Sequence, residues 1–172
     1  MEIRLRPVEL IHKEILFNLY QFYLYDFSRI SEEDLGFDGR FEIKLDHYWE
    51  DPRWNPFFIY YEERIIGFLI ILFENYDTVP DPTHVIYDFL ILSKYRRKGF
   101  GKLAAFQAFN LYQAKWKVVQ IKTNEQAIHF WRDVVNQYTV GQYTEVFRED
   151  LNKYVQSFTN KTARTNCANG ER

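Results

Sequence analysis

The sequence predicts an α/β protein of the α+β kind, a single sheet carrying helices, on three observations. Strand-like apolar runs and segments of helical spacing follow one another along a chain of 172 residues. The stretch from Tyr87 to Lys102 passes from an apolar run, Phe89-Leu90-Ile91-Leu92, through a basic segment holding Gly99 and Gly101. It then enters a helical pattern of Leu103, Phe106, Phe109 and Gln113. Finally, 47% hydrophobic and 19% aromatic residues fill one core without help from disulfides or metals.

Taken in order, Ile3 to Arg6 alternates and stops at Pro7, a short first strand. Leu10 to Asp26 carries Ile11, Ile15, Leu16, Leu19, Phe22 and Tyr23 at helical spacing, a first helix expected to pack on the sheet. An acidic, glycine-broken segment, Ser31 to Gly39, leads to a short helix from Lys44 to Glu50, stopped before Pro52. Pro56–Tyr61 and Ile65–Phe73 read as a hairpin turned at Glu62-Glu63-Arg64. A proline-rich loop, Asn75 to Pro82, precedes the central strand. A third helix is expected over Gly101–Gln113, a fifth strand over Lys117–Thr123 and a fourth helix over Glu125–Asn136. Thr139–Phe147 and Tyr154–Phe158 supply the last strands. The chain divides into one domain, residues 1–159, and a polar tail, 160–172, that has little to bury and is expected to be mobile.

A strand, a basic glycine-containing turn and a helix in that order leave free backbone N–H groups at a helix N-terminus, where a phosphate can sit. The P-loop spacing is absent, since Gly99 and Gly101 are two apart and Leu103 follows Lys102. The dinucleotide fingerprint also fails: Ala104 replaces its third glycine, and no acidic residue lies about 20 residues on at the end of a second strand. A basic surface turn capping an ordinary helix would produce the same residues.

What fits is Arg96-x-x-Gly99-x-Gly101, which resembles the pyrophosphate loop of the GNAT superfamily of acyl-CoA-dependent N-acyltransferases. Downstream, Asn124-Glu-Gln-Ala127-Ile-His-Phe130-Trp131 resembles that family's second element, at the start of the helix after the fifth strand. The resemblance covers about Phe57 to Val146. It implies a central mixed, mostly antiparallel sheet of six to seven twisted strands, with helices on both faces and strands four and five splayed apart.

The resemblance also implies acetyl-CoA as co-substrate and an amine acceptor as the second partner. The backbone from Arg96 through Arg97, Lys98, Gly99, Phe100 and Gly101 to Lys102 would hold the pyrophosphate. The pantetheine arm would pair with main-chain groups of Phe89, Leu90 and Ile91, and Asn124 would reach or orient that arm. Trp131 stands where many relatives carry a tyrosine that protonates the departing sulfur. An indole N–H can donate a hydrogen bond but does not surrender its proton. A thiol pKa near 8.5 leaves the sulfur a tolerable leaving group without that help.

An alkylamine with a pKa of ~10.4 is neutral in about one molecule per thousand at pH 7, so a base must take its proton. In many family members that base sits on the fourth strand. The positions matching by register are Val85 and Tyr87, with Asp88 and His84 on the opposite face unless a bulge re-aims one. Asp88, in a strand interior that disfavours aspartate, and His84 are the candidate bases, and His84 also fits a solvent-facing strand end. Tyr87 and Tyr138 join them as candidate catalytic residues, and Tyr143 could replace Trp131 as an acid.

The acceptor side, in this fold walled by the first two helices, carries Asp26, Glu32, Glu33, Asp34, Asp38 and Asp46. These suit a cationic amine, although a solvated acidic loop is the commoner reason for such a run. Nearby aromatics, Tyr23, Phe27, Tyr48 and Trp49 among them, either line a pocket or fill the core.

A net charge of −2 offers nucleic acid no general attraction, and no apolar run reaches the roughly 20 residues of a membrane span. A single cysteine, Cys167, excludes an internal disulfide and any cysteine-rich metal site, so no metal is expected and a cytoplasmic location is. A homodimer, as many proteins of this fold form, is compatible with the chain. The expected activity is acetyl transfer from acetyl-CoA to a primary amine of a small molecule or protein in a ternary complex. Two alternatives remain: a non-catalytic acyl-CoA-binding module, and nucleic-acid binding through Lys94–Lys102.

Overall fold

A computed structural model describes residues 2–74 and 82–161. Of the loop expected over Asn75–Pro82 all but Pro82, and most of the tail, Cys167 included, lie outside the described residues. The chain runs β1 (Ile3–Pro7), α1 (Lys13–Phe27), α2 (His47–Glu50), β2 (Trp54–Tyr61), β3 (Arg64–Phe73) and β4 (Thr83–Ile91). It continues α3 (Phe100–Asn110), β5 (Lys115–Ile121), α4 (Glu125–Thr139), β6 (Thr144–Arg148) and β7 (Lys153–Thr159). Short 3₁₀ turns at Leu10–His12 and Ser93–Tyr95 precede α1 and α3.

The strands form one seven-stranded sheet in the order β1-β2-β3-β4-β5-β7-β6. β4 and β5 pair in parallel, with α3 as their crossover, and the other neighbours are antiparallel. This is the mixed, mostly antiparallel sheet expected from the sequence.

Two apolar layers cover it. On one face α3 and α4 pack over Ile59, Leu69, Ile86, Trp116 and Phe158. The small residues Ala104, Ala105 and Ala108, all at 0% exposure, bring α3 close to the sheet. α4 buries Ile128, Trp131, Val134 and Val135, a single stripe at helical spacing. On the other face α1 and α2 cover Phe58, Phe68, Ile70 and Leu90.

The structure differs from the sequence reading in the buried face of α1, at the α4–β6 junction and at the start of the tail. The buried residues of α1 are Leu16, Leu19 and Tyr20, while Ile11, Ile15 and Phe22 are exposed. The stripe at i, i+3, i+4 starting from Leu16 sets the sheet-facing direction, and Ile15 and Phe22 fall to its side. α4 runs through Thr139, whose hydroxyl donates to the Val135 carbonyl. The chain then turns through left-handed Val140 and Gly141, so β6 begins at Thr144 instead of Thr139. At the tail, Asn160 is anchored: its amide donates to the carbonyls of Phe109 and Tyr112, and its Oδ1 accepts from Ala114 N–H.

Candidate active site

The site grows from a gap in the sheet. β4 and β5 are in register only from Thr83↔Lys115 to Ile86↔Val118. Beyond that point Tyr87–Ile91 have no partner on β5, while Val119–Ile121 continue to pair with β7. The splay expected between the fourth and fifth strands is present.

Strand alternation decides which backbone groups enter the gap. Leu92 N–H donates to Ile66 O, and the Leu90 carbonyl lies where a Cβ on Gly67 would stand, 1.9 Å away. Leu90 therefore spends its main-chain groups on β3, and Phe89 and Ile91 face the gap. Of the three residues expected to offer main-chain pairing, Phe89 and Ile91 turn their backbone groups to the gap and Leu90 turns its own to β3. The Ile91 carbonyl is itself occupied, accepting from Arg96 Nε at 2.6 Å.

The turn after β4 carries two left-handed residues, Arg97 at φ 59° and Gly99 at φ 83°. This geometry points successive N–H groups the same way. Among the described residues, the N–H groups from Arg97 to Lys102 meet no main-chain acceptor, and the first helical bond runs from Leu103 N–H to Gly99 O. Gly99 caps α3 with no side-chain hydrogen bond. The bend is thus lined with free donors at a helix N-terminus, where the helix dipole favours an anion.

Side chains around the bend divide by role. Arg97 and Lys98 are exposed, and Lys102 Nζ donates to Gln137. Phe100 is buried against Tyr61 and Tyr95, anchoring the helix start. Arg96 turns back from the bend, pairing with Asp26 at the end of α1 as well as with Ile91 O. It ties β4 to α1 and does not project into the donor-lined turn.

Asp88 lies at the splay and on the α1 side of the sheet. The β3–β4 register shifts between Ile70↔Asp88 and Ile71↔Ile86, leaving Tyr87 as the extra residue of a bulge. Two successive side chains then share one face. Tyr87 meets Trp54 edge-on at 4.7 Å, and Asp88 accepts from Tyr20 at 2.7 Å on Oδ2 and from Tyr23 at 2.8 Å on Oδ1. The hydroxyls of Tyr20 and Tyr48 are 2.5 Å apart. Burial pushes the Asp88 carboxyl above the ordinary aspartate value, and the hydrogen bonds from Tyr20 and Tyr23, with the Tyr48 hydroxyl close behind, oppose that rise. The same burial, with Asp88 nearby, pushes all three phenols up, so they stay protonated donors. Tyr87 is 55% exposed and is also pushed up, first by burial and then by Asp88.

The remaining sequence candidates sit elsewhere. His84 is on the opposite face, beside the paired part of β5, stacked on Phe73 at 4.1 Å and met edge-on by Tyr112 and Trp116. It is not the solvent-facing strand end that the sequence also allowed: burial holds its imidazole below the ordinary histidine value. Tyr138 lies about two turns beyond Trp131 on α4, its hydroxyl donating to Asn110 and accepting from Asn160. Tyr143 packs against the α3–α4 layer. Asn124 caps α4, its Oδ1 accepting from Ala127 N–H at 3.2 Å. Trp131 is buried, 5.1 Å from the Phe89 ring and adjoining Phe130, so it forms the wall of the gap on the α4 side.

Tyr20 escaped the sequence reading, and Tyr23 and Tyr48 entered it only among undifferentiated aromatics. The available signal was Asp88 itself, an acid in an apolar run that needs donors somewhere. Among the described residues no group of histidine, cysteine and carboxylates is placed to hold a metal, and no helix is long and apolar enough to cross a membrane.

Comparison with known proteins agrees with this architecture. No curated protein shows a significant match to the chain. An acetyltransferase from Thermus thermophilus superposes with a TM-score of 0.68 at 16% identity, over 92% of this chain and 97% of its own. A spermidine N-acetyltransferase chimera from Vibrio cholerae gives 0.57 at 17% identity, over 91% and 93%. An aminoglycoside acetyltransferase from an uncultured soil metagenomic sample, in complex with sisomicin, gives 0.56 at 17%, over 77% and 86%. At such identities the likeness establishes the fold. The family itself is established by the model of the acetyltransferase (GNAT) family, which matches residues 15–134, taking in most of α1, the splayed strands, the donor-lined bend and most of α4. The chain belongs to the GNAT family of acetyltransferases.

Proposed function

We propose that the protein transfers an acetyl group from acetyl-CoA to a primary amine by direct attack in a ternary complex, with Asp88 as the base. The observation that carries this reading is the position of Asp88: a carboxylate re-aimed by a bulge onto the α1 face, where β4 parts from β5. The free N–H groups from Arg97 to Lys102 would receive the pyrophosphate, and the main-chain groups of Phe89 and Ile91 N–H would receive the pantetheine arm. Arg97, Lys98 and Lys102 add positive charge there.

The acceptor arrives as an ammonium ion. Asp88 takes one N–H proton, the neutral nitrogen attacks the thioester carbonyl, the C–N bond forms, the C–S bond breaks to release the thiolate of CoA, and the nitrogen gives its second proton to solvent to leave the neutral amide. The raised carboxyl value suits this role, since a more basic carboxylate accepts a proton more readily. No indole or engaged phenol need protonate the sulfur, which leaves as thiolate and is protonated by solvent. Substrates of the structural neighbours, spermidine and aminoglycosides, supply the first acceptors to try, and a cationic amine would suit the acidic 26–46 segment.

The test is thiol release on mixing the protein with acetyl-CoA and spermidine, an aminoglycoside, lysine and simple alkylamines. Asp88→Asn is expected to lower kcat by ~10²–10⁴ with acetyl-CoA affinity unchanged. Tight acetyl-CoA binding with no turnover on any amine would identify a binding module instead.

A further inference from the structure

Tyr20 has one hydroxyl proton, and its 2.7 Å contact with Asp88 uses it, because an ionised carboxylate only accepts. In the 2.5 Å contact between the Tyr20 and Tyr48 hydroxyls the donor must then be Tyr48. The result is a directed chain, Tyr48 to Tyr20 to Asp88 Oδ2, with Tyr23 donating separately to Oδ1. Tyr20 and Tyr48 are both buried, at 1% and 5% exposure, and their rings stack, so the chain is fixed by packing from two different helices.

We propose that Tyr48 is a positioning residue for acyl transfer: by donating to Tyr20 it polarises the hydroxyl that holds Asp88, keeping the base charged and its free lone pairs turned toward the acceptor amine. This rests on the reading of Asp88 as the base. Each carboxylate oxygen has two lone-pair directions and spends one on a phenol, leaving one apiece for the incoming ammonium. A bond donated into a chain strengthens the next by about 10–30%. Among the described residues Tyr48 makes its hydrogen bond to Tyr20 and none to the carboxylate, so that bond carries most of its effect on Asp88. Neither phenol gives up its proton in the cycle, because burial holds both well above the ordinary tyrosine value.

The groups facing Asp88 are Tyr20 and Tyr23 from α1, His47 and Tyr48 from α2, and Tyr87 on its own strand. Its partner on β3 is apolar Ile70. The charged pair Asp26–Arg96 closes the end of α1.

The Asp88 carboxyl is followed by ¹³C NMR in aspartate-labelled protein, assigned with Asp88→Asn, and the acid limb of kcat/KM is measured with spermidine, or with the amine turned over best. Losing a donor favours the protonated carboxyl. Tyr20→Phe is therefore expected to raise both midpoints by about one pH unit or more, and Tyr48→Phe by about 0.3 unit. His47→Gln, carried as a control, is expected to leave that difference intact. Should Tyr48→Phe fail to fold, 3-fluorotyrosine at position 48, a stronger donor of the same shape, is expected to move both midpoints down.

If neither midpoint moves on changing Tyr48 while Tyr20→Phe moves both, the chain plays no part and the proposal is overturned. If the NMR midpoint moves and the kinetic limb does not, Asp88 is not the base and the reading beneath the proposal falls. A lowered melting temperature with unmoved midpoints would mean that Tyr48 serves packing alone, which also overturns it.

Discussion

Tyr87 and Asp88 are neighbours in sequence and lie on the same face of β4. Strict alternation would place Asp88 with Phe89's aromatic neighbours beneath α4, where Phe130 and Trp131 offer the carboxylate no oxygen-bound donor. The extra residue at Tyr87 turns Asp88 to α1 instead, and Tyr20 and Tyr23 meet it there. One backbone irregularity thus converts an untenable buried charge into a hydrogen-bonded one.

The cost of holding Asp88 charged has a pH signature. Its carboxyl value is raised on folding, chiefly by burial, so the native state binds more protons than the unfolded chain from about pH 4 upward, until the native value is passed. Stability contributed by this group is therefore full at low pH and is lost as pH rises through that window. Unfolding in urea across pH is expected to show wild type losing stability relative to Asp88→Asn as pH climbs from about 4. A constant difference would show that the carboxyl is unperturbed.

His84 works in the opposite sense. Burial lowers its value on folding, so the unfolded chain binds the proton first, and stability is lost as pH falls below about 6.5. His84→Phe keeps the stack on Phe73 and removes a buried Nδ1 that has no hydrogen-bond partner among the described residues. Stability at pH 7 is expected to change by less than about 1 kcal/mol, with the loss below pH 6.5 reduced and acetyl transfer unaffected. A large fall in kcat in His84→Phe would place His84 in the reaction.

Gly101 sits where a Cβ would lie 3.1 Å from the Phe130 ring. Gly101→Val must push that ring, at a cost of about 1–3 kcal/mol, so fold and cofactor binding are disturbed together. Combining it with Phe130→Leu makes room. The melting temperature is then expected to recover while acetyl-CoA binding, measured by calorimetry, stays weakened, because the new side chain still crowds the donor-lined bend. Recovery of both would mean the bend does not meet the cofactor.

Asn160 joins β7 to the end of α3 through Ala114 N–H, Phe109 O, Tyr112 O and the Tyr138 hydroxyl. Asn160→Ala strands several of these half-buried groups and is expected to destabilise the protein by about 2–3 kcal/mol. Tyr138→Phe loses the bond to Asn110 and is expected to cost about 1 kcal/mol, with kcat unchanged. A kcat loss beyond tenfold in Tyr138→Phe would return Tyr138 to the list of proton donors.

The bend at Gly99 and Gly101 was legible in the chain because its chemistry is local. A left-handed glycine, a run of unpaired N–H groups and a following helix are set by neighbours within a few residues. The start of α4 at Glu125 was readable for the same reason. What no local rule supplies is the length of the β4–β5 pairing, which ends at Ile86 although β5 runs on to Ile121 along β7 at its other edge.

Residue order alone dictates that this chain builds a glycine-bearing, donor-lined bend on a mixed sheet, and that Asp88 sits in a strand ill suited to it. Long-range packing settles that Asp88, and not His84 or Tyr138, faces the α1 side, and that Tyr20, Tyr23 and Tyr48 gather around it. These residues are separated by up to 68 positions, and their meeting depends on one bulge and two helix packings. A phenol reads the same in sequence whether it fills space or holds a charge, and the difference is made by what lies across from it.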